Sequence, residues 1–113
     1  FNHSLGDWNL NNIVSNLTLD NCGMDCDTYS STLSGWSTNT NTPDNLTLHS
    51  EGMEYGGNAI AARDQLIAKG WTINGDNPGT CGMITNCDDD IDVILCYDWL
   101  YQIISNTNFI LLN

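Results

Sequence analysis

"NLTLDNCGM" at residues 16–24 and "NLTLHSEGM" at residues 45–53 are two versions of one phrase. Asn16, Leu17, Thr18, Leu19, Gly23 and Met24 recur as Asn45, Leu46, Thr47, Leu48, Gly52 and Met53, each 29 residues on. Side chains of a strand alternate between faces, so each "LTL" sends its leucines into a core and its threonine into solvent. A chain that repeats a strand at a fixed interval is building the same local structure twice.

The sequels to the phrase also agree. After the first comes "DCDTYSSTLSGW", where Asp25 or Asp27 is placed to cap a short helix with the apolar stripe Tyr29, Leu33 and Trp36. After the second comes "EYGGNAIAARDQLIAKGW". Here Asn58 is the expected cap, and Ala59, Ile60, Ala62, Leu66 and Ile67 form the buried face. Lys69 falls in the last turn and Gly70 takes the left-handed position beyond it. Both helices read as ending in Gly-Trp, at Gly35-Trp36 and Gly70-Trp71, and a third strand, "WTI", runs into the turn "NGDNPG". Strand, Gly-Met turn, helix, strand is a parallel arrangement with right-handed crossovers. Repeated at intervals of about 20–30 residues, it predicts an α/β fold: a short leucine-rich-repeat-like solenoid with parallel strands over residues 1–76. One unit cannot bury its own apolar face, and roughly three are needed. The chain therefore reads as the end of a longer array, or a piece released from one.

Fourteen carboxylates face two cations, Arg63 and Lys69, for a formal charge of −12. Nucleic acid and anionic lipid are held mainly through Lys and Arg, so neither is an expected partner. Asn, Thr, Ser and Asp dominate the polar residues and favour turns and caps over long helices. Five cysteines in 113 residues point to an oxidising, extracytoplasmic setting. No charged segment followed by an apolar run opens the chain, so a signal peptide is expected to be absent or already removed. The apolar stretch 91–112 is broken by Asp92, Asp98, Gln102, Asn106 and Asn108, too often for a membrane span.

"FNHSLGDWNLNNI" resembles the repeat of the BspA-like leucine-rich-repeat surface proteins of bacteria. Phe1, Asn2, Ser4, Leu5, Trp8, Asn9, Asn12 and Ile13 occupy the matching places. Tyr29, Leu33, Gly35 and Trp36 are similar to a "NYxxxLxGW" motif that closes such arrays. Gly52, Tyr55, Ala62, Arg63, Leu66, Ile67, Gly70, Trp71, Thr72, Ile73, Gly75 and Asp76 are similar to a second, "GLxY…ARxxLI…GWTITGD". The resemblance implies a secreted or surface-exposed, non-catalytic protein used in adhesion or assembly. Its partners would be a protein or glycan ligand, or other copies of itself.

Composition shifts at Pro78, and residues 77–113 form a tail that caps the solenoid or pairs with another copy. Within it, Asp88 to Asp90 cap a helix striped by Val93, Tyr97, Leu100, Tyr101 and Ile104, or the stretch 91–104 forms a hairpin with "FILLN". The β-branched and aromatic content favours strands. In a filament the assembling ends would be Phe1 on one side and Phe109, Ile110, Leu111 and Leu112 on the other, joined head to tail.

The chemistry-bearing residues argue against an enzyme. His3 and His49 are the only histidines, no Gly-x-Ser-x-Gly elbow is present, and Glu51 and Glu54 flank a turn where solvation accounts for them. No cofactor is called for. Calcium stays open: Asp88, Asp90 and Asp92 alternate like the first ligands of a calcium loop, but Val93 and Trp99 stand where that loop needs Gly and Glu. Asp20, Asp25 and Asp27 add to the carboxylate density, with helix capping as the plainer reading. The expected disulfides are Cys22–Cys26 and Cys81–Cys87, which close short loops, leaving Cys96 as the unpaired thiol; zinc lacks its Cys-x-x-Cys pair. Asn2, Asn16 and Asn45 begin glycosylation-type triplets, which so much Asn and Thr produces by chance.

Overall fold

The computed structural model describes residues 1–82 and 93–106. In chain order it contains β1 (Asn16–Thr18), α1 (Cys26–Thr38), β2 (Thr47–His49), β3 (Glu54–Tyr55), α2 (Ile60–Ala68), β4 (Thr72–Asn74), β5 (Asn77–Pro78) and α3 (Val93–Asn106). Strands β1, β2 and β4 form one sheet in that order, and β3 and β5 form a second; all pairs are parallel. This is a small α/β domain with parallel strands in two small sheets. α1 lies between β1 and β2 in the chain and α2 between β2 and β4, which is how parallel neighbours must be joined.

The two "LTL" phrases are neighbours, but not in the phase in which they repeat. Leu17 pairs with Leu48 rather than Leu46, and Asn16 with Thr47 rather than Asn45, so the strands lie 31 residues apart. A two-residue slip keeps every side chain on its original face. The turns follow this register. Cys22 N–H donates to Leu19 C=O at 3.2 Å, as Met53 N–H does to Ser50 C=O at 3.1 Å. Asn21, at φ 52°, therefore stands where Gly52 stands at φ 85°; asparagine is among the few residues that tolerate that region.

The main core joins Leu19, Met24, Leu33, Leu46, Leu48, Met53 and Leu66, all buried. Each fully buried leucine contributes about 1.5–3 kcal/mol relative to exposure. Trp36 and Trp71 pack with their ring centroids 5.9 Å apart and their planes tilted by 47°, and each indole N–H is satisfied at 2.8 Å, Trp36 by Leu5 C=O and Trp71 by Pro43 C=O.

Asp25 is the cap of α1, accepting from Thr28 N–H at 2.8 Å. α1 does not stop at Gly35-Trp36 as expected but runs on to Thr38. Gly35 is needed for another reason: residues 1–6 pass against α1, and a Cβ at Gly35 would collide with the backbone of Gly6. Asn58 is no cap either. Gly57–Ala59 form a 3-10 turn held by Gly57 N–H to Cys81 C=O at 3.1 Å, and α2 begins after Ala59 without a side-chain cap. At the other end of α2 the expectation holds. Gly70 has φ 91°, and Gly70 and Trp71 N–H close onto Ile67 and Leu66 C=O at 2.9 and 3.1 Å.

The strand reading of 91–104 gives way to α3. Cys96, Trp99 and Ile103 are buried at helical spacing, and Trp99 and Ile103 pack with Ile60 and Tyr55. Tyr97 and Tyr101, assigned to the helical stripe, are exposed instead. With apolar residues all round the helix, the fixed surface of α2 decides which of them it buries.

Candidate functional site

Arg63 rises from α2 toward the turn after β4 and holds Asp76 through two bonds, Nε to Oδ2 at 2.9 Å and Nη2 to Oδ1 at 2.7 Å. The Asp76 side chain is only 1% exposed. Tyr29, from α1, donates its hydroxyl to Asp76 Oδ2 at 2.8 Å, and that hydroxyl lies 3.0 Å from Ser50 Oγ at the end of β2. The Arg63 guanidinium also sits 4.7 Å from the centre of the Tyr55 ring. α1 and α2 are thus pinned through Tyr29 and Arg63 to one buried carboxylate in the turn after β4, and the end of β2 joins them through the Tyr29 hydroxyl. Burial pushes the Tyr29 hydroxyl far up, and the Asp76 charge adds to the effect. Burial also raises Tyr55. For Arg63, burial pulls downward, but the bonds and charge of Asp76 outweigh it and hold the guanidinium above its ordinary value.

Chemically this is a clamp. Tyr29 stays protonated, the Arg63 charge is balanced by Asp76, and the hydroxyl of the fully buried Ser50 lies between Tyr29 and the Asn74 C=O. Over it, between α2 and α3, lies a cavity of about 90 Å³ bordered by Tyr55, Arg63, Asp64, Asp98 and Trp99. Trp99 is buried, and its indole N–H has no hydrogen-bond partner among the described residues. Among the described residues no group of three or more His, Cys, Asp or Glu is placed to hold a metal.

The larger candidate surface is the sheet's polar face with its β1 edge. Asn16 and Thr18 are exposed on β1, Thr72 and Asn74 on β4 flank a half-buried Ile73, and Thr47 and His49 lie half-buried around the core residue Leu48. Beyond β1, Phe1 is 63% exposed, Trp8 59% and Val14 90%.

Among the predicted cysteine pairs, Cys22–Cys26 is corrected: Cys26 is bonded to Cys81, which joins the start of α1 to the segment after β5, and Cys22 is a free thiol. Cys81–Cys87 is excluded by the same bond. Cys96, expected to be unpaired, is itself disulfide-bonded and fully buried. Cys87, the calcium candidates Asp88, Asp90 and Asp92, and the assembly candidates Phe109, Ile110, Leu111 and Leu112 lie outside the described residues. Phe1 is described, with its ring edge-on to His3 at 5.7 Å. His49 sits on β2 and Glu51 in the turn beyond, where its N–H donates to Asp20 Oδ1 at 2.8 Å.

The clamp is not legible in the sequence because Tyr29 fits the apolar stripe of α1 and Ser50 carries no motif of its own. One signal was present: Arg63 is one of only two cations in the chain, and a lone arginine on an apolar helix usually has a dedicated partner. No helix among the described residues is long and apolar enough to cross a membrane. No family model, curated protein or solved structure matches this chain.

Proposed function

We propose that the chain is a non-catalytic binding or adhesion module of an extracellular or bacterial cell-surface protein, built as a short leucine-rich-repeat-like solenoid. In this reading residues 77–113 cap its end. The observation that carries the proposal is the order β1-β2-β4: strands consecutive in space as in sequence, with a helix in each intervening connection. That is how rungs of a coil succeed one another. Support comes from Trp36 and Trp71, which play the same part in successive units, and from the motif residues similar to BspA-like proteins. The Cys26–Cys81 bond fits an oxidising compartment.

A rigid coil offers a flat polar face, here Asn16, Thr18, Thr72 and Asn74, to a protein or glycan ligand. The test is binding of the purified chain to arrays of glycans and extracellular proteins, with Thr18→Arg and Thr72→Arg as face variants. Loss of array binding in the variants, with the fold intact, supports the reading; binding indifferent to both, or turnover of an arrayed glycan, overturns it.

The exposure of Phe1, Trp8 and Val14 in the segment that precedes β1 favours a second reading, a structural subunit that polymerises into an extracellular filament. Regular fibres in electron micrographs, abolished by deleting residues 108–113, would establish that reading in place of the first.

A further inference from the structure

We infer that the cavity between α2 and α3 binds the amino terminus of a peptide whose first residue is aliphatic, taking its ammonium, its side chain and its first carbonyl together. The site uses none of the residues of the sheet's polar face, so it stands or falls apart from the adhesion reading.

The floor of the cavity and its mouth differ in chemistry. Ile60 and Trp99 are buried and Tyr55 is half-buried, and together they make a floor that is mainly apolar. Asp64 of α2 and Asp98 of α3 border the same cavity but are exposed, which places them at its mouth. The walls come from β3, α2 and α3, elements that face one another across the space rather than one bare edge. Volume limits what can enter. A cavity of about 150 Å³ holds a benzene ring, so one of about 90 Å³ is too small for a sugar ring and suits a branched aliphatic side chain.

Charge selects the occupant. The charged side chains in the lining are Arg63, Asp64 and Asp98. Arg63 is already held by both oxygens of Asp76, so the two mouth carboxylates set the sign, and a cation is drawn in. Asp98 accepts from Gln102 Nε2 at 3.0 Å, and its charge adds to the burial that raises Tyr55, which ties it to the floor as well as the mouth. The floor carries an unmet demand of its own. The Trp99 indole N–H has no hydrogen-bond partner among the described residues, and a buried donor without an acceptor points to a partner that the chain does not supply. A simple alkylammonium ion would answer the carboxylates and fill the space, but would leave the indole unpaired. At the amino terminus of a peptide one carbon carries all three groups: the ammonium for Asp64 and Asp98, the side chain for the floor, and a carbonyl for Trp99.

The experiment follows the indole N–H resonances of the full chain by NMR as leucinamide is added at about pH 7, where an α-amino group is mostly protonated. The resonance absent from Trp99→Phe should move saturably, while those of Trp36 and Trp71 stay in place. Nα-acetyl-leucinamide, which lacks the ammonium, should bind weaker by about tenfold. Isopentylamine, which lacks only the carboxamide, should also bind more weakly and leave the Trp99 resonance near its free position. Asp64→Asn with Asp98→Asn should weaken leucinamide by about tenfold with circular dichroism unchanged. Should that double variant fail to fold, the acetylated probe on the native chain tests the same charge. Equal binding of the acetylated probe, or a Trp99 resonance that does not move, overturns the inference. Isopentylamine binding as tightly as leucinamide would assign the cavity to free amines and overturn the peptide occupant. Loss of array binding in the face variants bears on the adhesion reading alone.

Discussion

The sheet with α1 and α2 and the seat of α3 solve the same problem with different completeness. In the first, buried polar groups are paired. Trp36 and Trp71 donate to carbonyls, Thr32 accepts from Leu5 N–H at 3.0 Å, and Asp76 meets Arg63 and Tyr29. In the second, Trp99 is as deeply buried as Trp36, yet its N–H has no partner among the described residues, and its cluster is Ile60, Trp99 and Ile103 with Tyr55 and Leu100 beside them. The partners explain the contrast: Thr32, Trp36 and Trp71 meet backbone groups 27, 31 and 28 residues earlier in the chain, while the surface that receives α3 offers the Trp99 indole no acceptor among the described residues. The stability of the domain should therefore be concentrated in the first region.

The sharpest way to break that region is Asp76→Ala. It strands the Arg63 guanidinium and the Tyr29 hydroxyl where they cannot recover water, and removing one partner of a buried pair costs about 3–5 kcal/mol. Urea unfolding should show a loss of that size. A loss under about 1 kcal/mol would mean that the clamp is solvated and the contrast overstated. Next comes the disulfide. Cys26→Ala with Cys81→Ala opens a loop with a sequence separation of 55 residues, at a cost of about 2–4 kcal/mol. Reductant should lower the melting temperature of the native chain and leave that part of the double variant's stability unchanged.

What could be read in advance follows the same division. The "LTL" phrases, the Gly70 helix stop and the Asp25 cap were legible because each rests on a local rule of parity or capping. Register was not. Asn16 opposite Asn45 and Asn16 opposite Thr47 leave the same side chains inside, and only the turn at Asn21 and Gly52 distinguishes them. The Cys26–Cys81 pairing was hidden for a related reason: short loops look easier to close, but the fold brings the start of α1 against the segment after β5. α3 was misread because its apolar residues surround the helix. A periodicity argument has no purchase on such a segment until Ile60 and Tyr55 are in place to receive Trp99. The solvent-facing threonine of each "LTL" was legible as sequence, but the order β1-β2-β4 depends on which strands pair, and that is a tertiary fact.

One substitution made in both regions sharpens the comparison further. Trp36→Phe removes the donor to Leu5 C=O and leaves a buried acceptor unpaired, which should cost about 1–3 kcal/mol. Trp99→Phe removes a donor that has no acceptor, so the lost packing is offset by relief of an unpaired N–H, and the change should stay within about 1 kcal/mol. Both variants keep an aromatic ring in place, so chemical denaturation reads the hydrogen bond more than the cavity. Equal losses would show that the α3 indole is as well satisfied as the one in α1.

The smallest effect belongs to the exposed start of α1, where acid should loosen the helix before it loosens the core. The Asp25 carboxyl is held below its ordinary value of 3.8 by the bond from Asn2, and further by the Thr28 N–H it caps. A depressed carboxyl stabilises the folded chain above its unfolded value and loses that contribution as pH falls through the lower, folded one. Helical circular dichroism should then decline in a step below pH 3.8. The difference between variants, rather than the wild-type curve alone, isolates this contribution. Asp25→Ser keeps a capping oxygen without a charge and should flatten that step, while Asn2→Ala, which deletes the main cause of the depression, should move it to higher pH. Coincident acid curves for all three chains would show that the Asp25 cap does not carry the acid loss, and that the start of α1 is no weaker than the core it packs on.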